Sequence, residues 1–163
     1  MAQVANSTGF TPVLNLAVGT SAVPIWDALL KSNNLISTGD VAYASAGYVQ
    51  AAQTTDKYPV GVTSTRQATS VTTNVSVGLF PAADWVVFRG QYGGTATQAH
   101  VWTAHSIAGT RGKQEISDSA GGKCTWIIGK ESTSSYGAYT TMYFVFSKSK
   151  FTGKTFDSAG PAV

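Results

Sequence analysis

The side chains able to do chemistry are few and scattered. Eight carboxylates (Asp27, Asp40, Asp56, Asp84, Glu115, Asp118, Glu131 and Asp157) are spread over 163 residues. Most stand beside Gly, Ser, Thr or Lys, the composition of turns, where an Asp side chain bonds the nearby backbone. A glycosidase needs two carboxylates facing one bond. Asp84 with Glu131 is the least unfavourable pair, and nothing in the sequence selects it. His100 and His105, if carried on one straight strand, point to opposite faces and make poor co-ligands. With Cys124 as the single cysteine, no donor set for zinc or another transition metal is expected. There is no G-x-S-x-G, H-E-x-x-H or Walker pattern. The glycines of "GQYGG" (90–94) and "AGGK" (120–123) open no helix, so they read as hairpin turns and not as phosphate cradles. The reading is therefore of a non-enzyme, with no catalytic, cofactor-binding or metal residue assigned and no cofactor required.

Composition narrows the partners. Charged residues make up 12% of the chain, about half the usual quarter. So much uncharged surface implies that part of it is covered by other protein. The net charge of +3 is too dilute for a nucleic-acid footprint, and residues 90 to 110 contain aromatics but no Lys or Arg. Apolar runs such as "WVVF" (85–88) are far too short to span a membrane. Trp85, Trp102 and Trp126 fall inside apolar strands, where packing in the core or at a subunit interface is the expected use.

The elements that must position these residues are strands. Residues 1 to 26 contain no Asp, Glu, Lys or Arg. Within them "GFTPVLNLAVG" (9–19) alternates, with Phe10, Pro12, Leu14, Leu16 and Val18 on one side and Val13 breaking the rule. The first cation is Lys31 and Asn15 interrupts the apolar stretch, so a secretory signal is not expected. Pro12 cannot donate a ladder hydrogen bond, which places the segment at a sheet edge or in an extended arm. "VPIWDALLKSNN" (23–34) reads as the one short helical turn, with Pro24 in its first turn. Further strands are expected at 41–45 and 48–52 around an Ala46–Gly47 turn, then at 58–64, 71–80, 84–92, 100–106, 113–117, 124–132 and 139–147.

The expected organisation is an N-terminal arm with a short helical turn (1–37), an all-β barrel or sandwich domain (38–147) and a basic C-terminal tail (148–163). That tail carries Lys148, Lys150 and Lys154. Uncharged strands need closure into a barrel or burial between subunits, because native sheets guard exposed edges with charge.

Taken in order, "GFTPVLNLAVG", "LISTGDVAYASAGYVQAA", "YPVGVTS" and "ADWVVFRGQYGG" resemble the capsid decoration, or cement, proteins of tailed bacteriophages. The shared features are a G-F-x-P-V opening, an apolar G-D-x-V strand entry, a P-V-G-V strand and a D-x-V-F-x-x-Q strand at Asp84, Val87, Phe88 and Gln91. They span residues 9 to about 94, whereas the second half matches only in texture. Trp85 and Arg89 stand where the family has acidic surroundings. The resemblance implies a compact, β-tulip-like domain that coats the outer surface of an icosahedral head as a structural virion protein, made in the host cytoplasm. It also implies the major capsid protein as partner, self-association, most often as a trimer, and no direct contact with nucleic acid or membrane. Phe10, Pro12, Leu14, Leu16, Trp26, Trp85, Phe88 and Arg89 are the expected interface residues. The alternative reading is a carbohydrate- or receptor-binding β-module of a head fibre or host-attachment protein, which requires an exposed cluster of Trp and Tyr.

Overall fold

The computed structural model describes residues 9–52, 59–66, 72–118 and 122–147. Its elements are β1 (Thr11–Asn15), β2 (Trp26–Leu30), β3 (Val41–Ser45), β4 (Tyr48–Ala51), β5 (Pro59–Thr63), β6 (Val75–Pro81) and β7 (Val86–Gln91). They continue with β8 (Thr95–Ala96), a single 3-10 turn (Gln98–His100), β9 (Ala104–Ala108), β10 (Glu115–Ser117), β11 (Thr125–Lys130), β12 (Gly137–Ala138) and β13 (Thr141–Phe146). The chain is all-β.

Local chemistry explains the tightest connection. Ala46 and Gly47 both take positive φ, +49° and +85°, between the paired residues Ser45 and Tyr48. That is a two-residue hairpin turn whose twist matches the strands it joins. The hairpin belongs to a closed barrel in the order β2-β4-β3-β5-β6. Leu30, Ile36, Ala42, Val49, Val60, Val77 and Leu79 fill it.

The remaining long strands form a sheet in the order β1-β7-β13-β11-β9-β10, and a parallel bridge from Tyr92 to Ile116 brings β10 back beside the end of β7. Successive residues of β7 serve two faces, as strand periodicity requires. Phe88 faces the main core, where the Phe88, Phe144 and Phe146 rings lie 5.2–5.9 Å apart. Val87 faces a second cluster with Trp126 and Val145.

Two features read from the sequence are corrected. The segment from residue 9 is no free arm: β1 pairs antiparallel with β7 and is an edge strand of the sheet. Val13 is the extra residue of a bulge, because the register shifts between Pro12 and Leu14. Phe10 lies against Phe144 with ring centroids 5.0 Å apart. It also lies over Gly90, where a Cβ would stand 2.2 Å from Phe10 Cδ1, so this strand position must remain glycine. The expected helical turn is instead strand β2, paired with β6 from Trp26↔Leu79 to Leu30↔Val75. Trp26, Ala28 and Leu30 turn inward while Ile25, Asp27 and Leu29 turn out, a period of two that long-range pairing enforces over local helix propensity. The tail 148–163 lies outside the described residues.

Asp40 and Gln114 join the barrel to the sheet. Both oxygens of the fully buried Asp40 carboxylate accept backbone N–H groups, Oδ2 from Ser37 at 2.8 Å and Oδ1 from Gly112 at 2.7 Å. Gln114 Oε1 accepts from Val41 N–H at 2.7 Å, and its Nε2 donates to Ala52 O at 3.1 Å. Burial pushes the Asp40 carboxyl above its usual range, against the opposing pull of the Gly112 and Ser37 amides and the charge of Arg111.

Candidate functional site

The expected interface residues divide by burial. Phe10 and Phe88 are core residues, 2% and 0% exposed, so neither can meet a partner while the chain stays folded. Both serve the main core instead, Phe10 by packing on Phe144 just before β1 and Phe88 from the inward face of β7. Leu14 packs with Val13 against Val87, Trp126 and Val145. Trp26 packs against the barrel core and Trp85 against the main core, both half-buried. Pro12 is half-buried on the rim of an open groove of about 540 Å³ that runs between β1 and the barrel, lined also by Phe10, Val23, Thr63 and Phe80. Arg89 is exposed, and its Nη1 meets Glu131 Oε1 at 3.0 Å. Glu131 is therefore engaged by a cation, not by Asp84.

Leu16 is the one apolar residue of the expected interface that stands well out, and three apolar residues not singled out for an interface are exposed near it in sequence. Leu16, Val18, Ile25 and Leu29 are between 49% and 63% exposed. Leu16 N–H donates to Trp85 O at 2.7 Å, which fixes the chain just beyond β1 against the start of β7. Ile25 Cγ2 lies 3.1 Å from where a Gly78 Cβ would be, so it rests on the outer wall of the barrel. Four large apolar side chains thus stand exposed within residues 16 to 29, an apolar ridge along the chain that the described residues do not cover. Val18 was legible in the alternation; Ile25 and Leu29 were hidden by the helical reading.

A second arrangement gathers the two histidines that periodicity set apart. The chain turns at Val101–Trp102 instead of running straight, so β9 begins only at Ala104 and the rings approach to 5.7 Å. Asp118 bridges them, with Oδ1 at 2.8 Å from His105 Nδ1 and Oδ2 at 3.3 Å from His100 Nε2. Tyr92 stacks on His100 at 4.8 Å. His100 Nδ1 accepts Thr97 N–H at 2.9 Å, which leaves its proton on Nε2, facing Asp118. Thr103 Oγ1 lies 2.7 Å from His105 Nε2 and donates to His100 O at 2.6 Å. Hydroxyl, imidazole and carboxylate thus stand in the order of a nucleophilic triad. The hydroxyl proton is nevertheless committed to a carbonyl, and the imidazole is 2% exposed. In this geometry the chain of contacts holds the loop and presents no free nucleophile.

Burial lowers the His105 pKa, outweighing the raising effects of the His100 carbonyl and the Asp118 charge. Burial and the Asp118 carboxylate together push the Tyr92 phenol up. For Asp118 itself burial acts upward, but the Tyr92 phenol and the two imidazoles prevail and hold it below the usual carboxylate range. Among the described residues no group of three or more His, Cys, Asp or Glu is placed to hold a metal ion. Nor is any helix among them long and apolar enough to cross a membrane.

The turn between the two histidines carries Trp102, which the sequence placed inside an apolar strand. It is 63% exposed and holds φ at +64°, with its N–H donating to Ile127 O at 2.8 Å. A bulky residue in the left-handed region costs on the order of 1–3 kcal/mol and persists only where its surroundings impose it. Here the turn is pinned to β11 by the Trp102 N–H on Ile127 O and by the Ile127 N–H on Thr103 O at 3.2 Å.

No family model, curated protein or solved structure matches the chain.

Proposed function

We propose that this protein is a capsid decoration protein, held on the outer surface of an icosahedral phage head by contacts with the major capsid protein and with copies of itself. The observation that carries the reading is the uncovered ridge of Leu16, Val18, Ile25 and Leu29 in a chain with 12% charged residues. Large apolar side chains left exposed and concentrated in one segment point to an interaction surface. The ordered segments from "GFTPVLNLAVG" to "ADWVVFRGQYGG" point to the same class.

The mechanism requires no moving part among the described residues. A rigid β-domain sets the ridge and the neighbouring groove against a flat protein floor, and burying each side chain contributes about 1.5–3 kcal/mol. Three copies acting as one body multiply a weak single contact through effective concentration, so a trimer binds far more tightly than a monomer. A protein that binds the closed lattice and not its disassembled subunits stabilises that lattice by linkage.

The test is a double substitution, Leu16→Ser with Leu29→Ser, in the full chain. Head binding measured by cosedimentation falls by more than about tenfold, since two buried leucines are worth well over 1.4 kcal/mol. The thermal unfolding midpoint changes little. Undiminished binding by a folded variant contradicts the assignment of the ridge.

A further inference from the structure

The surface beyond the end of β7 differs in kind from the apolar ridge. Every exposed residue from 93 to 102 and from 132 to 139 is Gly, Ala, Ser, Thr, Gln, Tyr or Trp, and none carries a charge. The two segments are joined, because β8 pairs with β12 and Tyr136 Oη donates to Gln98 Oε1 at 2.6 Å. That bond fixes the Tyr136 ring and leaves the two N–H donors of the Gln98 amide for another acceptor. Lys130 Nζ lies 5.7 Å from the Tyr136 ring centroid and donates to the carbonyls of Glu131 and Ser134, so its charge is held on the protein. Trp102, held outward at φ +64°, supplies the largest exposed ring.

We infer that Trp102, Tyr136 and Gln98 form a binding site for a neutral saccharide. A pyranose ring presents an apolar C–H face rimmed by hydroxyls. An exposed indole covers such a face by dispersion and burial, and amide and hydroxyl groups serve the rim. The two segments carry no charge of their own, and the nearest carboxylates, Glu115 against Gly93 and Asp118 bound by the two imidazoles, offer acceptors for sugar hydroxyls and no cation for an anionic ligand. A nucleic acid needs cations along its phosphates, and a protein interface concentrates Arg around its aromatic anchors; these segments offer neither. The site is separate from the ridge. Leu16 is tied to Trp85 just before β7, whereas Tyr139 O accepts from Gln91, the last residue of β7. A chain fixed through the ridge therefore keeps this surface for a second ligand.

The experiment is a glycan array followed by calorimetric titration of the full chain with neutral oligosaccharides, and with sialylated ones as the anionic control. Neutral oligosaccharides bind and their sialylated counterparts bind at least tenfold more weakly. Trp102→Ala weakens binding at least tenfold, and Tyr136→Phe, which loses the bond to Gln98, weakens it a few-fold. Trp102→Gly, which suits the positive φ, abolishes binding yet unfolds at a midpoint no lower than that of the parent chain. Head cosedimentation is unchanged in all three variants. The inference is overturned if no neutral oligosaccharide binds at millimolar concentration, or if Trp102→Ala binds as the parent does. It is equally overturned if the Trp102 variants lose self-association or head attachment instead, for the surface is then a protein interface.

Discussion

Asp40 and His105 are both sealed from solvent, and the chain treats them differently. The Asp40 carboxylate receives one backbone N–H on each oxygen, and its two donors come from residues 37 and 112, on opposite sides of the junction between barrel and sheet. His105 has Asp118 on one nitrogen, but that carboxylate is 60% exposed, and on the other side it shares the Thr103 hydroxyl with a carbonyl. Burial works against the charged form of each group, with opposite consequences. For the carboxylate, whose pKa is raised, the stability it contributes is greatest below the ordinary carboxylate value and declines as pH rises through the raised one. For the imidazole, whose pKa is lowered, stability is present above the ordinary histidine value and is lost as pH falls through it, because the unfolded chain takes up the proton first. A buried carboxyl gripped by a backbone N–H on each oxygen serves as a clasp. A buried imidazole held by a solvent-facing carboxylate holds a loop conditionally.

Substitutions sharpen that contrast, beginning with the clasp. Asp40→Ala leaves the part-buried Ser37 and Gly112 N–H groups without their acceptor and costs about 2–4 kcal/mol in urea unfolding. A loss below about 1 kcal/mol, within the range of an ordinary surface change, breaks the comparison. Gln114→Ala removes an acceptor from Val41 N–H and a donor from Ala52 O, for a loss of about 2 kcal/mol. Asp118→Asn costs less than about 1 kcal/mol at neutral pH, since its carboxylate is largely solvated. The smallest effect is the pH response of the parent chain. Its unfolding midpoint falls between pH 7.5 and 5.5, more steeply in Asp118→Asn, which removes the carboxylate facing both imidazoles, and less steeply in His105→Gln. His100 and Tyr92 are the other titratable groups against that ring, so a slope that persists in His105→Gln and vanishes in His100→Gln reassigns the effect.

Much of this fold was legible because strands declare themselves by alternation and turn residues. The β3–β4 hairpin, β5, β7 and β13 stand within a residue or two of their expected limits, and Pro12 marked an edge strand that the structure places at the sheet edge. Val13, the residue that broke the alternation, is the bulge. The failure at β2 is instructive. Ile25 and Leu29 are apolar on the outer face of a strand whose inner face is also apolar, so the period of two disappears and Pro24 with a run of Ala and Leu looks helical. The same two exposed residues belong to the ridge, so what concealed the strand is what marks the surface. The histidine cluster was illegible for a different reason. Spacing along a strand says nothing once the chain turns, and the turn at Trp102 depends on a left-handed φ that no tryptophan advertises.

The central proposal, that this chain decorates an icosahedral head, is tested most directly by adding the purified protein to undecorated heads assembled from a phage major capsid protein. The mixture is separated on a density gradient and the heads are imaged. Binding that saturates at a fixed number of copies per head, with density on the outer surface and greater resistance of the heads to heat, is the predicted result. A protein that stays at the top of the gradient, with bare and equally fragile heads below it, contradicts the account.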